Sequence, residues 1–150
     1  PAEETPVEET AAEPTYTVSE TLTRPVPGEV MTEFSDTPVY SETMRDYRVH
    51  AGTDYTAAHG ETVHACANGI VKETHTDMLR GNMIVIEHGD YEVRYCGLGE
   101  TFLVHEGDVV TAGQDIGSVT AAPFESALDS HLHIEVTRNG EPVDPESVFG

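Results

Sequence analysis

No stretch of this chain sustains an apolar 3.6-residue period over three turns. Its hydrophobic residues fall instead in short alternating runs cut by glycine and Asn-Gly pairs. That pattern makes hairpins rather than helices. Asn68-Gly69 separates residues 62–67 from 70–74, and Asn139-Gly140 follows the run 132–137. Both dipeptides accept the positive φ that a tight hairpin turn demands. Residues 83–87, the turn His88-Gly89-Asp90 and residues 91–95 read as strand, turn and strand, with Glu92 and Arg94 alternating against Tyr91, Val93 and Tyr95. The expected fold class is all-β, with at most a helical turn around residues 124–128 or at the C-terminus.

At 150 residues the chain is long enough for one domain. Its 28 acidic and 7 basic side chains give a formal charge of -21. Such an excess repels phosphate backbones and anionic lipid surfaces, which excludes nucleic acid as a partner and argues against peripheral membrane binding. No apolar run approaches the roughly 20 residues of a spanning helix, so direct membrane insertion of this segment is not expected. Residues 1–15 carry five glutamates and three prolines without a basic residue, the composition of a linker. An acidic linker and extended lead-in are therefore expected over 1–24 and a compact domain over 25–150. The first residue is Pro1 and no leader is recognisable, so the expected parent is longer, exported or anchored through an upstream segment. Cys66 and Cys96 form either one disulfide or two buried thiols.

The chemistry concentrates in two histidine clusters. His131 and His133 are separated by one residue, so strand periodicity turns both imidazoles to one face while Leu132 and Ile134 face the other. Such a pair can divide the work of metal ligand and proton shuttle, or can be two satisfied surface rings. His50-Ala51-Gly52-Thr53-Asp54 offers one nitrogen and one oxygen ligand around a glycine that lets the backbone bend. With His133 these make three protein ligands and leave a fourth tetrahedral position open to water or substrate, the mark of a catalytic rather than a structural zinc site.

These elements have an order: His50-x-Gly52-x-Asp54, the run from Gly81 to Gly89, Glu106-Gly107-Asp108-Val109-Val110 through Gly117, His131-Leu132-His133-Ile134-Glu135-Val136, and Asn139-Gly140-Glu141-Pro142-Val143-Asp144-Pro145. In that order they resemble the lysostaphin/LytM-type zinc metallopeptidases, over about residues 25–149. The resemblance implies antiparallel sheets with a substrate groove, a barrel-sandwich hybrid of the duplicated hybrid motif kind, and hydrolysis of peptide bonds in bacterial peptidoglycan. It also implies one zinc ion on His50, Asp54 and His133, with His131 as a catalytic imidazole off the metal. The stretch 104–117 is also similar to a lipoyl or biotinyl hammerhead, but Lys72 lies at no hairpin tip where a carrier lysine belongs.

One position departs from the family pattern. Where active members have Tyr-x-His-Leu, this chain has Tyr95-Cys96-Gly97-Leu98. Losing one of two proton-handling groups typically costs about a hundred- to a thousandfold in rate. Strand alternation is expected to turn Cys96 away from the face used at position 97. His64 and His75 are the remaining candidates for a substitute, while His59, His88 and His105 fall in expected turns and are read as solvated. Tyr47 and Arg48 precede the ligand motif and are expected either to line the groove, with Arg48 as a donor to substrate, or to pack on the surface. The sequence therefore supports an attenuated zinc endopeptidase acting on peptidoglycan peptides outside the cytoplasm. The alternative is a non-catalytic scaffold, with or without the metal, similar to the stage II sporulation protein Q group and facing an envelope protein partner.

Overall fold

A computed structural model of the protein describes residues 15–149, so all but the last residue of the linker expected over 1–15 lies outside the described part. Among the described residues twelve strands follow one another: β1 (Val30–Thr32), β2 (Ser35–Ser41), β3 (Asp46–His50), β4 (Thr53–Thr56), β5 (Thr62–His64), β6 (Gly69–Asp77), β7 (Gly81–His88), β8 (Tyr91–Leu98), β9 (Val109–Val110), β10 (Asp115–Ser118), β11 (His131–Arg138) and β12 (Glu141–Val143). Among the described residues there is no α-helix. Two 3-10 turns, Pro123–Glu125 and Pro145–Ser147, fall where helical turns were expected. No helix of the described residues is long and apolar enough to cross a membrane.

The main sheet runs β1-β4-β11-β8-β7-β6-β9, with β12 paired to β11, and two-stranded ribbons β5–β10 and β2–β3 complete the fold. All pairings among these strands are antiparallel. Period-2 alternation explains which face is core. Leu132, Ile134 and Val136 of β11, Val93 and Tyr95 of β8, and Ile84 and Ile86 of β7 point one way into a single cluster, each fully buried. Burial of each such side chain is worth about 1.5–3 kcal/mol. The opposite face of the same strands carries His131, His133, Glu135 and Cys96, and it too is buried, because other segments cover it.

Asn139 and Gly140 have φ values of 51° and 84° and close the β11–β12 hairpin, as the sequence predicts. Asn68-Gly69 does not close a hairpin. β5 pairs with β10 and β6 with β7 and β9, and neither residue of the dipeptide has a positive φ. Asn68 is instead a clamp. Its Nδ2 donates to Thr17 O at 3.0 Å and its Oδ1 accepts from Ala112 N–H at 2.8 Å, which ties the extended lead-in and the turn after β9 to the start of β6.

His88 was expected in a solvated turn, but it is buried. The β7–β8 connection is only Gly89-Asp90, so His88 is the last inward-facing residue of β7. A carbonyl can only accept, so His88 Nδ1–H donates to Asn68 O at 3.1 Å, leaving Nε2 to accept from the Tyr95 hydroxyl at 2.8 Å. The Tyr95 hydroxyl oxygen in turn accepts from Cys66 N–H at 2.9 Å. Burial, only partly opposed by backbone hydrogen bonds, pushes the His88 pKa down to about 4 and keeps the ring neutral. Both cysteines are free and buried, and burial raises each thiol to about 12.

The extended lead-in before residue 25 packs on the domain. Leu22 is in the core and forms a parallel bridge to Phe149. Arg24 grips the Glu146 carboxylate through Nε and Nη2, and Glu146 also accepts from the Tyr55 hydroxyl at 2.6 Å.

Candidate metal centre

Strand register builds the site. On β11, His133 lies opposite Asp54 of β4 on one side and opposite Cys96 of β8 on the other. His50 ends β3, and the chain reaches β4 through Ala51-Gly52. That bend presses against the backbone of β11. A Cβ on Gly52 would stand 2.2 Å from Ile134 O, so only glycine lets His50 swing over Asp54.

Each ring is aimed by its outer nitrogen. His50 Nδ1–H donates to Glu33 O at 2.9 Å, which turns Nε2 inward. The outer nitrogen of His133, Nε2, meets Glu135 Oε2 at 2.9 Å, and that same oxygen accepts from Arg80 Nε at 2.9 Å. This leaves His133 Nδ1 pointing at Asp54 Oδ1, 2.7 Å away. Imidazoles that bind metal are commonly oriented in this way by a carbonyl or carboxylate behind them. His131 Nδ1–H donates to Asp129 O at 2.7 Å, so its Nε2 also faces the centre, 3.7 Å from Asp54 Oδ1.

A fifth group joins them that the sequence reading did not include. Glu125, in the 3-10 turn Pro123–Glu125, is buried and reaches into the cluster. Its Oε2 lies 2.6 Å from His50 Nε2, and its Oε1 lies 3.0 Å from His131 Nε2 and 3.2 Å from His133 Nδ1. Phe124 caps the assembly, its ring edge-on to His133 at a centroid distance of 5.0 Å.

The electrostatics follow from these contacts. Burial works against charge on His50, but the nearby carboxylates of Asp54 and Glu125 outweigh it and raise its pKa to about 9. His133 and His131 are also raised: burial opposes them, and carboxylate partners more than compensate. Burial likewise opposes charge on the carboxylates. Hydrogen bonds from His131, His133 and His50 nevertheless hold Glu125 well below the usual carboxylate range, and His133 and Arg80 bring Glu135 to about 2.

The donor set fits a divalent cation. One nitrogen or oxygen atom from each of His50, Asp54, Glu125 and His133 lies within 4.8 Å of the others. Donors around a tetrahedral zinc ion at about 2 Å are roughly 3.3 Å apart. His50 Nε2 to Asp54 Oδ2 is 3.3 Å and His133 Nδ1 to Glu125 Oε1 3.2 Å, while His133 Nδ1 to Asp54 Oδ1 and His50 Nε2 to Glu125 Oε2 are hydrogen-bonded at 2.7 and 2.6 Å. Asp54 Oδ2 is fully buried and has no hydrogen-bond partner. A buried carboxylate oxygen is rarely left so, and an ion there would satisfy it.

Of the other sequence candidates, Arg48 lines a cavity of about 140 Å³ between the β2–β3 ribbon and the Phe124-Glu125 turn, alongside His50. Its guanidinium is paired with Asp46 at 2.8 and 2.9 Å. Tyr47, with 73% of its surface exposed, does not line the cavity but packs edge-on against Tyr40, which does. His64 pairs with Asp115 in the β5–β10 ribbon, and His75 is exposed on β6, so neither joins the cluster.

Gly97 has a φ of 76° and sits at a register shift between β7 and β8. Alternation holds up to this bulge: Tyr95 faces the core, so Cys96, contrary to expectation, stands on the histidine face beside His133 and Glu135, and the bulge then returns Leu98 to the core. A Cβ on Gly97 would meet Ala122 N at 2.7 Å and Ala121 C at 2.9 Å, so the backbone after β10 passes directly over the position. Glu125 could not be found from ligand spacing. Glu135 could, since it continues the period-2 row of His131 and His133.

Within an all-β domain, three imidazoles and two carboxylates converge on one buried point able to hold a cation. Residues 48–145 match the model for peptidase family M23, and the chain belongs to that family. It is 35% identical over 96 residues to the peptidoglycan DD-endopeptidase ShyA of Vibrio cholerae, covering 63% of this chain and 22% of that protein. It is also 35% identical over 106 residues to the DD-carboxypeptidase/endopeptidase Mpg of Neisseria meningitidis, covering 70% of this chain and 24% of that one. The chain thus spans about a quarter of the length of these relatives. Among solved structures, a zinc-containing peptidase from Vibrio cholerae superposes with a TM-score of 0.72 at 28% identity, over 83% of this chain and 39% of that one. SpoIIQ in its pore-forming complex with SpoIIIAH superposes at 0.74 with 22% identity over 87% and 91%, a likeness of fold.

Proposed function

We propose that this domain is a zinc-dependent endopeptidase of the bacterial envelope, hydrolysing peptide bonds in peptidoglycan at a rate held down by Gly97. The observation that carries this reading is the convergence of His50 Nε2, Asp54 and His133 Nδ1 around an otherwise unpartnered Asp54 Oδ2. Zinc held there would supply Lewis-acid polarisation of the scissile carbonyl and lower the pKa of water at the site. His131 is the proton carrier: Nδ1–H is committed to Asp129 O, so Nε2 accepts and returns the proton. Arg48 borders the approach to His50 and can donate to a substrate carbonyl or carboxylate if it leaves Asp46.

At position 97, where the lysostaphin/LytM-type pattern has a histidine, there is no side chain to assist. Turnover about a hundred- to a thousandfold below that of a complete site follows. The relatives named as peptidoglycan endopeptidases support the substrate class and an extracytoplasmic location. One observation favours the second reading, a metal-retaining scaffold for an envelope protein: Glu125 and Phe124 fill the space over the centre.

Incubation with purified peptidoglycan and with short glycyl and D-alanyl peptides separates the two. Slow cleavage that requires metal and disappears in His131→Ala is expected. Absence of any metal-dependent cleavage rejects the enzyme and leaves the scaffold.

A further inference from the structure

We propose that Glu125 is a fourth protein ligand of the metal centre, so that the segment 119–130 seals with its own carboxylate the position that would otherwise be open to water or substrate. This rests on the zinc site proposed above and adds its regulation.

Glu125 Oε2 lies 2.6 Å from His50 Nε2, and Oε1 sits between His131 Nε2 at 3.0 Å and His133 Nδ1 at 3.2 Å. The nitrogens of His50 and His133 concerned are the inward ones, Glu33 O and Glu135 having taken the outer pair. A carboxylate serving only His131 would need one oxygen on that ring, whereas this one spans the centre. With His50, Asp54 and His133 it completes two nitrogens and two carboxylates, a closed set rather than an open one.

Gly97 and Glu125 are two ends of one arrangement. The segment leaves β10 along β8, where Val119 bridges Leu98 and Thr120 N–H donates to Gly97 O at 2.7 Å. Ala121 and Ala122 then cross the space that a side chain at 97 would occupy. Phe124 N–H donates to Leu79 O and Ala127 N–H to Thr43 Oγ1, both at 2.9 Å, which fixes the turn on both sides of Glu125. A histidine at 97 and Glu125 in the centre are therefore mutually exclusive without movement of this backbone. The chain has exchanged a catalytic side chain for a lid, and catalysis requires the lid to lift.

The test uses the whole chain, metal-stripped and reloaded, as wild type, Glu125→Gln and Glu125→Ala. Zinc affinity is read by competition with a chromophoric chelator. The open position is read in the cobalt-loaded protein, from the visible absorption change on adding acetohydroxamate, a small chelating anion. Loss of a group that merely orients a ligand weakens metal binding about 10–100-fold, so loss of a ligand should cost at least roughly tenfold in Glu125→Ala. The cobalt spectrum of wild type should be indifferent to acetohydroxamate, while both variants respond. Glu125→Gln preserves shape and guards against misfolding, checked by its melting curve. Equal zinc affinity in all three proteins, or a wild-type spectrum that responds to acetohydroxamate as Glu125→Ala does, overturns the lid and leaves the zinc site standing. Failure of all three to take up metal overturns both.

Discussion

Replacing Gly97 by alanine imposes two penalties that can be separated. The left-handed φ of 76° costs an L-residue about 1–2 kcal/mol. The added methyl must also displace the Ala121-Ala122 backbone, since it would lie 2.7 Å from Ala122 N, and overpacking of that kind costs about 1–3 kcal/mol more. Gly113 is the control. Its φ is 83°, yet nothing lies within 4 Å of the position of a Cβ, so Gly113→Ala carries the conformational penalty alone. Urea unfolding of the metal-free domain should then place Gly97→Ala about 2–5 kcal/mol below wild type and about 1–3 kcal/mol below Gly113→Ala, with unchanged m-values. Proteolysis within residues 119–130 should quicken only in the Gly97 variant. Equal losses in the two alanine variants would refute the claim that the lid is seated on Gly97. Gly97→His meets the same obstacle, so it is no simple restoration of a missing catalytic group.

The buried neutral His88 gives a pH signature. Its folded pKa of about 4 lies below the ordinary value of 6.5. Between these values the unfolded chain binds the extra proton, so stability should fall on acidification from about pH 6.5 to 4, by on the order of 3 kcal/mol. Denaturant titrations at several pH values should find that slope flattened in His88→Gln; an identical slope would contradict the reasoning. His50 acts in the opposite direction in the metal-free protein: raised to about 9, it contributes stability below pH 6.5 that disappears as pH climbs through 9. Leu22→Ala should destabilise the domain by about 2–4 kcal/mol, as for a core position, and a loss within about 0.5 kcal/mol would mean that the lead-in is not part of the fold.

What the sequence revealed and what it concealed divide along the range of the interactions. Asn139-Gly140 was legible because two adjacent residues alone set the turn. Asn68-Gly69 carries the same local signal, yet β5 is claimed by β10 about fifty residues on, so no hairpin forms there. Alternation put His131, His133 and Glu135 on one face and Leu132 and Ile134 on the other, and it held because β11 lies central in the sheet with a partner on each side. Cys96 was misplaced because the faces were counted from position 97; the bulged glycine there resets the count, and Cys96, opposite His133, shares its face. Glu125 was invisible because a glutamate in a short loop has no spacing rule linking it to His50, 75 positions earlier. The hint available was its place six residues before His131, at the end of a Pro-Phe turn short enough to fold back on the strand it precedes. His88 was misread by a single residue in the length of a turn.

Zinc uptake at equilibrium is the sharpest test of the metal centre. Metal-stripped wild type, titrated with zinc and assayed by atomic absorption after dialysis, should saturate at one ion per chain, and His133→Ala should retain none under the same conditions. Absence of zinc from the wild type, or its undiminished retention by His133→Ala, would contradict the assignment of His50, Asp54 and His133 as a ligand set.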